Sequence, residues 1–209
     1  LRLALHLQPV VPLDGGNLAV DFDLLNVLTG QRVGGQRFVG TPGALRNAAH
    51  RVSDVVYEKI LGIRGAFATR IAYVSVDGLP PSQKFQLIVA DADGENQRLV
   101  LESRYPLMSP SWSPDGQWLT YVSFENKRSA VYVQLVKTGE RRQVSARVGI
   151  NGAPVWSPDG KKLALTLGGS SGNPDIYILE LQTQSLTRIT DDPSIDTEPA
   201  WSPDGKYIY

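Results

Sequence analysis

The phrase Pro-x-Trp-Ser-Pro-Asp-Gly occurs three times in this chain, at residues 110–116, 154–160 and 199–205. Its tryptophans, Trp112, Trp156 and Trp201, follow one another at intervals of 44 and 45 residues. A period of about 40–45 residues carried by short strands is the mark of a β-propeller, one blade per repeat. Within each copy, Ser-Pro-Asp-Gly fits a type I turn: serine first, proline presetting φ at the second position, glycine fourth. Asp115, Asp159 and Asp204 are placed to accept hydrogen bonds from nearby backbone amides. The tryptophans offer a broad apolar face to adjoining blades. All six residues are therefore read as structural markers of the repeat, not as chemistry.

Strand segments fill the space between the copies. Pro110–Trp112, Gln117–Phe124, Ala130–Val136 and Arg141–Ser145 make one four-stranded blade. Pro154–Trp156, Lys161–Leu167, Asp175–Leu181 and Leu186–Thr190 make the next. Four strands is the usual blade content. The preceding blade has only Arg70–Val74, Gln86–Ala90 and Arg98–Val100, because no copy of the phrase stands before it. Its inner strand is expected from a distant C-terminal segment that closes the ring. About three blades are present, the chain stopping at Lys206–Tyr209 inside the second strand of a fourth. Such an unclosed stack is expected to be stable only within the complete ring.

Residues 1–65 lack this period. Leu1, Leu3, Leu5 and Leu7 share one face of a strand, and Asn17–Leu25 and Gln31–Val39 supply two more. A helix is predicted over 42–61, with Thr41 as N-cap, Pro42 as first helical residue and Gly62 as terminator. Leu45, Ala49, Val52, Val56 and Ile60 are its inward positions. The expected fold is thus a partial α/β N-terminal domain, residues 1–65, followed over 66–209 by part of an all-β propeller of four-stranded blades.

Composition narrows the function. The 21 basic and 21 acidic residues cancel, and no basic tract suggests nucleic acid. There is no cysteine, hence no disulfide or thiolate site. No run reaches the ~18 apolar residues of a membrane helix. The opening alternation of leucines lacks the features of a signal peptide, so the chain is read as beginning inside a domain, with any export signal upstream.

The segments entering each blade differ from one another, and variable loops on a rigid scaffold are where binding usually resides. They are Leu107–Ser109, Gly149–Ala153 and Asp196–Glu198. Gly168-Gly-Ser-Ser-Gly172 matches a hydrolase elbow in letters only, since no helix follows it. His6 and His50 suggest neither a triad nor a metal cluster. Asp91-Ala-Asp-Gly94 reads as a hairpin turn, Asp191-Asp192-Pro193 as a solvated loop, and the pairs Arg141-Arg142 and Lys161-Lys162 as solvated strand ends. No catalytic group, metal site or cofactor is expected.

Three further stretches make a family recognisable. Val52–Ile60, then Ile63–Val74, then Pro106–Gly116 resemble the TolB family, periplasmic components of Tol–Pal systems. Asn151-Gly-Ala-Pro154 and Thr197-Glu-Pro199 add to the likeness. It runs along essentially the whole chain. The resemblance implies a six-bladed propeller in the full-length protein and a non-enzymatic periplasmic role in outer-membrane integrity, constriction during cell division and bacteriocin import. It also implies binding of the lipoprotein Pal at the propeller's channel mouth, through Asn151, Gly152, Ala153, Thr197, Glu198 and Ser109. TolA would be engaged by an N-terminal segment that this chain does not contain. Where some family members carry histidine, this chain has Ile150. The alternative is the propeller of a prolyl-oligopeptidase-like serine peptidase, gating a downstream α/β-hydrolase domain. A cytosolic WD40 scaffold is disfavoured, because its Gly-His and Trp-Asp signatures are missing.

Overall fold

The computed structural model describes residues 2–169 and 173–209. It divides into two compact units, Leu1–Ile71 with Ala90–Asn96, and Ala72–Val89 with Gln97–Tyr209.

The first unit is a small antiparallel sheet with one helix. Its strands are β1 (Leu3–Leu7), β2 (Val11–Pro12), β3 (Leu18–Asn26) and β4 (Arg32–Gly40). β3 is central: β1 and β2 pair with successive stretches along one of its edges, and β4 with the other. Helix α1 (Leu45–Leu61) packs over β3 and β4. It buries Val52, flanked by Ala48, Val55 and Val56, against Phe22 and Phe38. The two phenylalanines stack with centroids 6.2 Å apart. The expected inward stripe is therefore rotated: Ala49 is exposed and Ile60 is 53% exposed. Leu5 and Leu7 lie opposite Leu24 and Phe22 in register, yet they remain exposed because the helix does not cover β1.

The helix ends partly as expected. Gly62 takes φ +73° and its N–H donates to the Glu58 carbonyl at 2.8 Å. This is the left-handed stop that glycine makes without steric cost. The start differs: Pro42–Ala44 form a 3-10 turn, and Thr41 accepts from the Ala44 N–H through its backbone carbonyl, not its side chain. Asp54, mid-helix, accepts from the Phe67 and Ala68 amides at 2.7 and 3.1 Å and so holds the segment that leaves the helix.

The sheets of the repeat follow. β5 (Arg70–Asp77), β6 (Lys84–Asp91) and β7 (Arg98–Ser103) form a three-stranded sheet. β8 (Leu107–Trp112), β9 (Trp118–Ser123), β10 (Ala130–Leu135) and β11 (Arg141–Ser145) form a four-stranded antiparallel blade. β12 (Asn151–Trp156), β13 (Lys162–Gly168), β14 (Pro174–Glu180) and β15 (Leu186–Arg188) form another. A fourth begins where Trp201 bridges Ile208.

Middle strands here are apolar on both faces, which is why Trp118–Ser123 and Lys162–Gly168 show no clean alternation. From β9 and β10, Leu119, Tyr121, Ala130 and Tyr132 pack on Leu87 and Val89 of the blade before. Val122, Val131 and Val133 pack on Leu163, Leu165 and Leu167 of the blade after. A buried polar tie joins the first pair of blades. The Tyr121 hydroxyl donates to Gln134 Oε1 at 2.8 Å, and Gln134 Nε2 donates to the Val100 carbonyl at 3.2 Å. The middle blade thus buries one face against the blade before and the other against the blade after, and alone it could not bury either.

Candidate partner-binding face

The three copies of the repeated phrase build the same turn. In each, the glycine N–H (Gly116, Gly160, Gly205) donates to the serine carbonyl (Ser113, Ser157, Ser202) at 2.9 Å. The glycines have φ +66°, +70° and +70°, a region that L side chains rarely enter. The serine hydroxyls donate to Asp115, Asp159 and Asp204 at 2.5, 2.6 and 2.6 Å. Each carboxylate also accepts the amide two residues on, at 3.0, 3.1 and 3.2 Å. The serine hydroxyl beside each aspartate, aided by that amide, holds its carboxyl below the usual carboxylate range. Successive turns also touch: a Cβ on Gly160 would lie 3.7 Å from Pro114, and one on Gly205 would lie 3.6 Å from Pro158. The Trp201 indole donates to the Val155 carbonyl at 3.3 Å, tying the fourth blade to the third. The serine, aspartate and glycine groups of the phrase are consumed by the turn.

The entry segments lie at the opposite ends of the inner strands from these turns, beside the β9–β10 hairpin. There the Phe124 N–H donates to the Pro106 carbonyl at 3.1 Å, and the Asn151 N–H donates to Ser129 Oγ at 2.9 Å. The inner strands start earlier than the sequence suggests, so Leu107–Ser109 and Asn151–Ala153 are strand as well as entry. A β-bulge makes this possible. Met108 and Ser111 pair with Val122 and Thr120, leaving Ser109 and Pro110 opposite Tyr121 alone. Gly152 and Val155 pair with Thr166 and Ala164 in the same way.

At these two bulges, and at the matching place before the fourth blade, the residue three before each tryptophan adopts positive φ: Ser109 +49°, Ala153 +43° and Glu198 +57°. Three unlike side chains share one strained backbone state, and each precedes a proline. Strain of this kind costs of order 1–3 kcal/mol and persists only where its surroundings enforce it.

The six predicted contact residues divide by accessibility. Thr197 and Glu198 are exposed, Ser109 and Gly152 are half-buried, and Asn151 and Ala153 are buried. The Thr166 hydroxyl donates to Thr197 Oγ1 at 3.3 Å, bringing blade three to the fourth entry segment. Residues with no sequence signal secure the loop just before that segment. Arg188 donates to Asp175 and Asp191 at 2.6 and 2.8 Å, and Asn173 Nδ2 donates to the Asp192 and Ser194 carbonyls at 2.5 Å.

Of the other candidate motifs, Asp91–Gly94 is the hairpin turn expected: the Gly94 N–H donates to the Asp91 carbonyl at 2.9 Å. The fold nonetheless brings His50 to Asp91 and Asp93, with His50 Nε2 3.2 Å from Asp93 Oδ2. Arg46 pairs with the same two carboxylates. Spacing could not reveal this grouping, because helix and hairpin are some forty residues apart. His6 lies opposite Asp23 in the sheet register. Ser170, Ser171 and Gly172 of the elbow-like sequence lie outside the described residues.

Residues 57–209 match the family model described as the TolB beta propeller domain. The chain belongs to the TolB family. The Tol-Pal system protein TolB of Methylococcus capsulatus is 53% identical over 139 residues, 66% of this chain and 33% of that protein. The protein of the same name from Alkalilimnicola ehrlichii is 47% identical over 141 residues, 68% of this chain and 33% of its own length. The chain therefore spans about a third of these relatives. The crystal structure of TolB from Acinetobacter baumannii superposes with a TM-score of 0.90 at 39% identity, covering 99% of this chain and 51% of that one. Its match extends beyond the propeller to the N-terminal sheet and helix. The propeller domain of a trilobed protease from Pyrococcus furiosus, at 17% identity and a TM-score of 0.51, shares the fold alone.

Proposed function

We propose that this chain is part of a non-enzymatic scaffold of a Tol–Pal system, working in the periplasm and binding the lipoprotein Pal through the entry face of its propeller. TolA engagement, outer-membrane integrity and constriction at division follow from the same membership. Residues 1–65 then form the N-terminal α/β portion, and residues 66–209 the first part of the ring. Among the described residues no helix is long and apolar enough to cross a membrane.

One observation carries this proposal. The serine and aspartate groups of the repeated phrase are spent on turns, while the entry segments at the other end of the inner strands are unlike one another and leave Thr197 and Glu198 exposed. Repetition on one face and individuality on the other is what a scaffold with a single specific partner requires.

Titration of the full gene product with the soluble domain of Pal tests it. The wild type is expected to bind. Replacing Thr197 and Glu198 together by alanine should weaken binding about tenfold, ~1.4 kcal/mol, with an unchanged thermal transition. Undiminished affinity in the double variant would refute the assignment of the face.

A further inference from the structure

Asn151 opens β12 and is 1% exposed. Its side-chain amide is fully engaged by the segment just before it. Oδ1 accepts the Ser145 hydroxyl at 2.6 Å and the Arg147 N–H at 2.9 Å. Nδ2 donates to the Arg147 carbonyl at 2.8 Å and to the Gly149 carbonyl at 3.4 Å. An asparagine amide offers two donors and two acceptor sites, and all four are used here. The Asn151 N–H is anchored separately, on Ser129 Oγ across the β9–β10 hairpin. One buried side chain therefore closes a ring around residues 145–151.

What the ring holds is exposed. Residues 146–150 all face solvent, with Val148 64% and Ile150 50% exposed. On its far side the loop is fixed again by the Gly168 N–H, which donates to the Ile150 carbonyl at 2.9 Å. We infer that Asn151 is a positioning residue for partner binding: it touches no partner itself and fixes the loop that presents Arg147, Val148 and Ile150. This rests on the entry-face reading given under Proposed function. Removing the amide leaves the loop free to sample other conformations, and a partner must then order it on binding, which weakens affinity without deleting any contact.

The test uses the full gene product, the soluble domain of Pal, and amide hydrogen exchange. Asn151→Ala is expected to speed exchange of the Arg147 amide at least tenfold and to weaken Pal binding about tenfold. A core variant, Leu165→Ala, is the control for mere destabilisation: it should lower the thermal transition at least as much while binding Pal within twofold of wild type. Should Asn151→Ala not fold, Ser145→Ala removes one of the four bonds and is expected to act in the same direction, about threefold on both readouts. Wild-type affinity in the variant that reports would overturn the inference. So would an affinity loss in Leu165→Ala as large as that in the loop variant. A wild-type protein that binds no Pal at all fails the underlying reading, a result distinguishable from either.

Discussion

Leu165→Ala is expected to lower the free energy of unfolding by about 2–5 kcal/mol, the range for a buried leucine whose surroundings close only partly around the cavity. Leu165 is 0% exposed at the middle of β13. It belongs to the cluster in which Val122, Val131 and Val133 of one blade meet Leu163, Leu167 and Leu179 of the next. A cavity there has walls on two separate sheets, each held in place by its own hydrogen-bond ladder, so neither can move in to fill it. Denaturant titration of the full gene product would show a lower midpoint with an unchanged slope. A loss below about 0.5 kcal/mol would mean that the blades are not packed through this residue.

The second large effect lies at the entry loop. Gly149 has φ +93°, and a Cβ built on it would stand 2.0 Å from the Gly168 carbonyl oxygen and 2.8 Å from its carbon. Both are backbone atoms at the end of β13, so no side chain can swing aside. Alanine at this φ carries a conformational cost of roughly 1–2 kcal/mol, and the overlap adds strain of about 1–3 kcal/mol unless the loop moves away. Gly149→Ala should therefore destabilise by roughly 2–5 kcal/mol, or escape that cost by displacing residues 146–150 and losing the bond from Asn151 to the Gly149 carbonyl. In the second case the Arg147 amide, held by Asn151 Oδ1, loses its protection in hydrogen exchange. Wild-type stability together with wild-type exchange would contradict the close approach of this loop to the end of β13.

Much of the fold could be read from the sequence because the turn chemistry repeats. Ser-Pro-Asp-Gly has few conformational options, and its recurrence at 44 and 45 residues locates each inner strand. The lack of a copy before Arg70 matches the three-stranded sheet found there. The bulges were not legible. Ser109, Ala153 and Glu198 have no common side-chain character, and nothing in serine, alanine or glutamate announces a positive φ. Only their shared place, before the proline and three residues before the tryptophan, links them. Asn151 was equally opaque as a clamp, since its side-chain bonds go to Ser145, Arg147 and Gly149 in a loop whose shape that side chain itself helps to set. The helix shows the limit of periodicity. Spacings of three or four fit several stripes, and the position of Phe22 and Phe38 selects the one through Ala48, Val52 and Val55. The exposed leucines of β1 show the same limit: alternation gives a common face but not what covers it.

Hydrogen exchange of the full gene product with and without the soluble domain of Pal reports directly on which face of the propeller binds. Added protection is expected at residues 107–109, 146–153 and 195–198, with none at the turns 113–116, 157–160 and 202–205. Protection confined to those turns, with the entry segments unchanged, would contradict the entry-face reading.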